Sequence, residues 1–254
     1  MKRIVLMLIG LSLFTSQSSA GQMQEGMLIF EQYDGVSSAE FQEYFELLKE
    51  RYDGSDMSWG IYQADPRVAF RVTAVNEGGM QGVLNVMDAR VRGFDAFTER
   101  LSELWGTAWQ QRRQMIFSNA PDLSVVPDDF GYSHVESNPY ARIYMVLVNP
   151  GDIQTFENAH KRIVELDAQL GNNEGKIWRV YRGGLGSPAP AYLLFFHGTD
   201  RADFAATEER HNAARATIAA EWQEAWDALV KATRDFVIFE TYRANALSAQ
   251  GNLR

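Results

Sequence analysis

The four histidines are the side chains best suited to acid–base or metal chemistry near neutral pH. His197 ends a β-type run, where it would lie at the mouth of a sheet, and it is a candidate site residue. His160 follows Phe156 by four residues on a predicted helix. One interpretation is that the side chain is packed against the protein or exposed to solvent. The alternative is that His160 is an axial haem ligand. No two histidines have the i, i+4 spacing of a zinc-binding helix, and the chain has no cysteine. The sequence therefore predicts no metal site and no cofactor, with haem as an alternative.

Tyrosines and arginines alternate with apolar residues along several predicted strands. Arg179 and Tyr181, for example, alternate with Trp178 and Val180. Because successive strand side chains point to opposite faces, one face collects the polar residues. With His197, the candidate ligand-binding residues on this face are Tyr62, Arg71, Tyr144, Arg179, Tyr181, Glu240 and Tyr242. The alternation also places Glu31 and Tyr33 of the first strand on this face, and Phe70, Ile143 and Phe239 on the opposite face, beneath the helices.

Such a face suits a small organic molecule with a polar or anionic end. Tyrosine hydroxyls and arginine guanidiniums would hold that end. The alternative is that the space in front of this face holds no ligand and is filled by side chains. Arg–Glu pairs would then lie near the mouth of that space, and the tyrosine hydroxyls would reach solvent. A shift of one residue in strand register would invert every assignment of this kind.

The pattern of elements is the same in both halves of the chain, in the order β-α-β-β-α-β. The second half has apolar runs typical of strands and two stretches with helical spacing. The first half fits more loosely, and its residues 76–91, with three glycines, resemble an insertion. The predicted strands are 27–33, 57–63, 68–75, 115–118, 142–148, 176–182, 191–197 and 236–242. The predicted helices are 38–52, 94–114, 152–170 and 202–233, the last with a break near His211.

Short sequence matches indicate an internal repeat. The segment WGIYQ at residues 59–63 matches WRVYR at residues 178–182. The pair Trp105 and Trp109 matches Trp222 and Trp226, and Phe41 matches Phe156. The three matches occur in the same order and at nearly the same spacing.

This element order, with the strand, the turn VNPGD at residues 148–152 and the helix that contains Phe156, resembles a tandem, fused form of the dimeric α+β barrel superfamily. The superfamily has ferredoxin-like units and includes antibiotic-biosynthesis-monooxygenase-like, stress-responsive, NIPSNAP-like and chlorite-dismutase-like branches. No branch is assigned. The resemblance implies an α+β fold of two ferredoxin-like repeats whose antiparallel sheets pack face to face. It also places the polar face described above between the two sheets.

The N-terminus has the pattern of a secretory signal. Lys2 and Arg3 precede an apolar run at residues 4–14, and small residues lead to a cleavage site before Gly21. The run is too short to span a bilayer. The predicted organisation is a signal peptide at 1–20, a first repeat at 21–119, a linker at 120–140, a second repeat at 141–243 and a polar tail at 244–254.

Composition and charge limit the classes of function. The 254-residue chain carries a formal net charge of −9, so it lacks the basic character of a nucleic-acid-binding protein. No later apolar run reaches the length of a membrane span. The predicted product is exported and soluble, periplasmic in a Gram-negative bacterium and otherwise secreted, and is a monomer or a homodimer.

The sequence leaves the activity open. The first hypothesis is a protein that binds a small hydrophobic or amphipathic molecule between its sheets. The second rests on the resemblance and is a monooxygenase-like enzyme without a cofactor, with Tyr62, Arg71, Arg179, Tyr181 and His197 as its site. A haem-binding protein and an interaction protein that uses its outer helices are the remaining alternatives.

Overall fold

The computed structural model of the protein describes residues 26–35, 38–52, 55, 57–65, 68–92, 97–110, 112–188 and 190–249. The predicted signal peptide lies outside these residues. The strands in the described part are β1 (Met27–Asp34), β2 (Gly60–Asp65), β3 (Val68–Val75), β4 (Arg112–Asn119), β5 (Tyr140–Val148), β6 (Ile177–Gly183), β7 (Ala191–Gly198) and β8 (Thr233–Arg243). The helices are α1 (Ser38–Arg51), α2 (Gly79–Arg92), α3 (Glu99–Gln110), α4 (Tyr132–Ser137), α5 (Ile153–Gln169), α6 (Arg201–Arg215) and α7 (Ala219–Ala232).

The strands form one closed antiparallel barrel in the order β1-β3-β2-β8-β5-β7-β6-β4. The first four strands are arranged as β4-β1-β3-β2 and the last four as β8-β5-β7-β6. These two groups join at short contacts, since β2 pairs with β8 through two residue pairs and β4 pairs with β6 through three. The α+β class predicted from the sequence is confirmed, and the sheets form a single continuous wall.

The barrel separates an interior core from apolar layers on its outer side. Phenylalanines from several strands meet in the interior, and Phe30 stacks on Phe70 with ring centroids 5.1 Å apart. Outside, α1 and α3 cover β1–β3 with a second cluster that contains Phe45 and Leu104. The helices α5 and α7 cover the other half with a third cluster that contains Phe156 and Trp178. Both faces of most strands are therefore apolar.

The stretch predicted as an insertion is a helix, α2, that packs against β1 and β3. Its glycines have structural reasons. Gly78 and Gly79 have φ angles of 78° and 52°, which residues with a Cβ rarely adopt. A Cβ on Gly82 would lie 2.1 Å from the carbonyl oxygen of Glu77. The glycines therefore allow the turn into α2 and its close approach to β3.

Three other segments differ from their predictions. The helix predicted at 94–114 is α3 at Glu99–Gln110, and residues 112–114 already belong to β4. The long helix predicted at 202–233 is interrupted by a 3-10 turn at Ala216–Ile218, beyond His211, and ends as β8 begins at Thr233. Residues 244–249, predicted as part of a polar tail, pack against the first half of the chain. There Leu247 is buried, and the Trp59 Nε1–H donates to its carbonyl oxygen at 3.0 Å.

The predicted linker contains ordered structure. A 3-10 turn at Pro121–Leu123 leads to a β-bridge between Val125 and Trp178, and α4 follows. Val126, Phe130 and Val135 pack against the interior core of the barrel. This segment therefore covers one end of the barrel, which we call the capped end.

Candidate functional site

Two inward-facing arginines lie at the capped end. Arg179 on β6 alternates with the outward-facing Trp178 and Val180, and Arg243 ends β8. Arg243 is paired in register with Tyr62 of β2, whose ring lies in the interior core. Arg179 is 9% exposed and Arg243 5% exposed. Both guanidiniums are thus held inside the protein.

His197 on β7 accepts a hydrogen bond from Arg179. The Arg179 Nη2 lies 2.7 Å from His197 Nε2, and a guanidinium can only donate. His197 Nε2 is therefore the unprotonated nitrogen, and Nδ1 carries the proton toward the carbonyl oxygen of Asn138 at 3.4 Å. Burial, together with the charges of Arg179 and Arg243, holds the pKa of His197 well below its usual value. The imidazole is neutral, yet the residue keeps some accessible surface.

Neither arginine has a carboxylate partner among the described residues. Arg243 Nη2 donates to the hydroxyl of Tyr132 at 2.6 Å, and its Nη1 bonds the amide oxygen of Asn245. The Nε atoms of both Arg179 and Arg243 are buried without a hydrogen-bond partner. A buried charge is costly unless it is paired or bound to something, so this end of the barrel carries uncompensated positive charge.

Aromatic rings surround the arginine charge. The Arg179 Cζ lies 5.8 Å from the ring centroid of Phe130, 5.9 Å from that of Tyr181 and 5.0 Å from that of Phe195. The Tyr62 ring lies 6.1 Å from that of His197. Burial raises the pKa of Tyr181, and the nearby Arg179 opposes this rise. The site thus combines cations, a neutral imidazole, hydroxyls and apolar ring faces.

The structure brings together four of the eight residues predicted as a site. Tyr62, Arg179, Tyr181 and His197 all face the barrel interior near the capped end. Whether they bind a ligand remains a prediction.

The other four predicted residues lie on the outer side of the barrel. Arg71 bonds the buried Glu31 and lies over the ring of Phe45 in α1. Tyr144 packs on Phe196 in the outer cluster beneath α5 and α7. Glu240 forms ion pairs with Arg142 and with Arg201 of α6, and Tyr242 is 50% exposed beside Tyr140.

The assignment of faces was wrong on β1, β3, β5 and β8. There the interior receives Phe30, Phe70, Ile143 and Phe239. The sequence prediction had placed Phe70, Ile143 and Phe239 beneath the helices, with Glu31 and Tyr33 of β1 facing inward. The physical reason is that both faces of these strands are mostly apolar, so alternation alone does not say which face the helices cover.

Sequence reasoning missed Arg243, Tyr132 and Phe130. Arg243 shares the face of Phe239 and Thr241, so a correct choice of face for β8 would have identified it. Tyr132 and Phe130 lie in the segment predicted as a linker, where no periodic pattern indicated that they would face the barrel.

The surroundings of His160 do not fit a haem ligand. His160 Nε2 lies 2.8 Å from the carbonyl oxygen of Leu123, and the ring is 1% exposed. Its centroid lies 4.5 Å from that of Trp178, and the ring stacks on Phe156. Burial lowers the pKa of His160 to about 4. This histidine fastens α5 to the Pro121–Leu123 turn.

Among the described residues, no group of three or more histidine, aspartate or glutamate side chains is placed to hold a metal ion. No described helix has the length and apolar character needed to cross a bilayer.

Comparison with known proteins identifies the fold. No protein-family model and no curated protein sequence matches the chain. Among solved structures, an anthrone oxidase-like protein matches with a TM-score of 0.57 and 11% identity, over 88% of this chain and 92% of that one. A candidate monooxygenase from Lactobacillus acidophilus matches with a TM-score of 0.51 and 10% identity, over 86% and 94% of the chains.

A candidate monooxygenase from Fusobacterium nucleatum gives a TM-score of 0.52 with 14% identity, over 87% of this chain and 93% of that one. At such low identity these matches show a common fold alone. The chain therefore shares the α+β barrel fold of these three solved structures.

Proposed function

We propose that this protein binds a small organic anion with an apolar or aromatic body at the capped end of its barrel. The observation that carries the proposal is the pair of buried arginines, Arg179 and Arg243, without a carboxylate partner among the described residues. A bound carboxylate or phenolate would supply the missing negative charge.

Each neighbouring residue has a role in this proposal. Arg179 and Arg243 attract the anionic group, and their unpaired Nε–H groups are available to donate. The rings of Phe130 and Phe195 offer apolar surface to the body of the ligand. Tyr62 and Tyr181 supply hydroxyls, and His197 keeps Arg179 oriented through the 2.7 Å hydrogen bond.

Calorimetric titration with benzoate and salicylate, with benzyl alcohol as the neutral comparison, tests the proposal. We expect the anions to bind and the alcohol to bind at least tenfold more weakly. Replacing a charge-assisted contact by an apolar side chain costs about 1.5–3 kcal/mol, so Arg179→Met and Arg243→Met are expected to weaken binding roughly ten- to a hundredfold.

Arg113→Met is the matched control, because Arg113 lies on β4 with a side chain that is 75% exposed. Equal binding of the alcohol and the anions would contradict the proposal. Affinity that is the same in wild type, Arg179→Met and Arg243→Met would also contradict it.

A second candidate function is oxidation of a phenolic substrate by dioxygen without a cofactor. It is favoured by the neutral imidazole of His197 beside the Arg179 cation, in a fold shared with an anthrone oxidase-like protein. His197 would accept the phenolic proton when Arg179 turns to the phenolate. Oxygen uptake in the presence of anthrone, measured for wild type and His197→Gln, tests this function. Oxygen uptake that is unchanged by the substitution would show that His197 is not the base in this reaction.

We also infer that the two halves are ferredoxin-like repeats and that the protein is exported. The corresponding spatial orders β4-β1-β3-β2 and β8-β5-β7-β6 support the first inference. The basic start and apolar run at residues 2–14 support the second. N-terminal sequencing of protein recovered from an exported fraction tests export, and an intact Met1 in that fraction would contradict cleavage before Gly21.

A further inference from the structure

In the part of the chain that the structure describes, the strand β8 has an open edge over most of its length. It pairs with β5 from Thr233 to Tyr242, but its pairing with β2 is confined to Tyr242 and Arg243. Among the described residues, no strand pairs with the N-terminal part of β8 on the side away from β5. An unpaired strand edge is a template for another strand.

The direction of the backbone groups confirms which amides face this edge. The Arg243 N–H donates to the carbonyl oxygen of Pro139, on the β5 side. The Ala244 N–H donates to the carbonyl oxygen of Ile61, on the β2 side. Since direction alternates along a strand, the N–H groups of Phe236, Ile238 and Glu240 face the open side. In agreement, the Phe236 N–H donates to the side chain of Asp235 at 2.8 Å.

The open edge also carries large exposed apolar side chains. Phe236 is 56% exposed, Val237 48% and Ile238 44%. On the preceding helix, Trp226 and Val230 are 41% and 51% exposed. Six of the eleven large hydrophobic residues that are exposed in the described part of the chain lie on α7 and β8, so this surface differs from the rest of the molecule.

We propose that β8 pairs antiparallel with β8 of a second copy of this chain, across a two-fold axis at Val237. In this register, Phe236 of each copy lies opposite Ile238 of the other copy. Because the N–H groups of both residues face the open side, one hydrogen-bonded apolar pair lies on each side of the axis. This register also brings Arg234, which lies in the irregular first part of β8, toward Glu240 of the other copy. Arg234 is exposed and has no ion-pair partner among the described residues.

Other symmetric registers fit less well. An axis at Asp235 would place two carboxylates directly opposite each other, which is unfavourable. An axis at Phe236 would place Asp235 opposite Val237 and Arg234 opposite Ile238. An axis at Ile238 would bring Arg234 opposite Tyr242, whose edge already pairs with Gln63. The pattern of charge and apolar residues therefore selects Val237.

Sedimentation velocity of the purified protein over a range of concentrations tests the interface. We expect a dimer for the wild type. Ile238→Lys places a charge on the apolar pair, and Ile238→Pro removes an N–H that faces the open side while leaving the hydrogen bonds to β5. Each is expected to raise the dimer dissociation constant by about tenfold or more.

Leu185→Lys is the matched control, because Leu185 is 65% exposed and lies outside β8. Circular dichroism and thermal unfolding establish that the variants keep the wild-type fold. A wild type that stays monomeric, or a dimer that both Ile238 variants retain, would overturn the proposal. Loss of the dimer to the same extent in Leu185→Lys would overturn it as well.

Hydrogen exchange at the amides of Phe236, Ile238 and Glu240 gives a second readout. We expect their protection to increase with protein concentration, since the second copy supplies the hydrogen-bond acceptors. Protection that is strong and independent of concentration would mean that another part of the same chain covers the edge, which would contradict the dimer.

Discussion

The buried charged side chains in the described part of the chain fall into two environments. Glu31 is fully buried and is bonded by the guanidiniums of Arg71, Arg90 and Arg112 on the outer side of β1. Asp167 is likewise buried and pairs with Lys176 and Arg215. Such groups hold elements together. Arg179 and Arg243 differ because neither has a carboxylate partner in the described part of the chain, which is why we assign them to ligand binding.

Replacing Glu31 by glutamine is expected to destabilise the protein strongly. The substitution removes a negative charge that several buried guanidiniums share, and breaking a buried ion pair costs about 3–5 kcal/mol. Urea unfolding at neutral pH measures the effect. Glu43→Gln is the control, because the pair of Glu43 with Arg100 is largely exposed and is expected to contribute little. A similar, small effect of both substitutions would contradict the structural role of Glu31.

The same carboxyl predicts how stability depends on pH. Burial by itself would raise the pKa of Glu31, but the charges of Arg71, Arg90 and Arg112 outweigh it and lower the pKa to about 2. Because the folded pKa lies below the unfolded one, this contribution is complete above the ordinary value of 4.5 and is lost as the pH falls to about 2. We expect the free energy of unfolding of Glu31→Gln to fall less steeply than that of wild type across this range.

At the scale of elements, a glycine decides how closely α2 packs against the barrel, whereas the glycine of α3 does not affect packing. A Cβ added to Gly82 would meet the carbonyl oxygen of Glu77, which precedes α2, and would approach the Val75 side chain of β3 to 2.8 Å. Gly106 on α3 has open space around the position of a Cβ. The same residue type is therefore required in one helix and only tolerated in the other.

Alanine substitution of the two glycines is expected to have opposite effects. Gly82→Ala forces α2 away from β3 and is expected to lower the free energy of unfolding by about 1–3 kcal/mol. Gly106→Ala is expected to raise it by about 0.5–1 kcal/mol, because alanine restricts the unfolded chain and favours helix. Thermal and urea unfolding of both variants check this. Stabilisation by Gly82→Ala would contradict the close approach of α2.

At the scale of the whole molecule, residues 244–249 connect the second half of the chain to the first half. Leu247 lies in the cluster beneath α1 and α3, and the backbone of Ala249 bridges to Trp59. The Ser248 hydroxyl accepts from the Ile61 N–H at 3.0 Å. These contacts lie directly after β8, next to the short junction between β2 and β8.

Removal of residues 244–254 is therefore expected to destabilise the whole barrel. The truncation exposes Trp59 and removes the buried Leu247 with its hydrogen bonds, which together contribute at least ~3 kcal/mol. Removal of residues 250–254 alone keeps these contacts and is the control. Differential scanning calorimetry measures both proteins. Equal melting temperatures would show that the tail does not fasten the two halves.

The sequence by itself determined the α+β class, most of the strands and the inward orientation of Tyr62, Arg179, Tyr181 and His197. On β2 and β6 a tryptophan begins an alternation that distinguishes the two faces, since Trp59 and Trp178 belong beneath the helices. His197 was predicted to lie at the mouth of the sheet because it comes at the end of a predicted strand.

Only the tertiary structure decided the faces of β1, β3, β5 and β8 and the partners of their charged residues. Both faces of these strands are apolar enough to be buried, so Arg71 and Glu240 could be assigned to either side. The contribution of Arg243 and of the capping segment likewise depends on contacts between residues far apart in the chain, such as Arg243 with Tyr132. Local periodicity carries no information about such contacts, because they are fixed by the closure of the barrel.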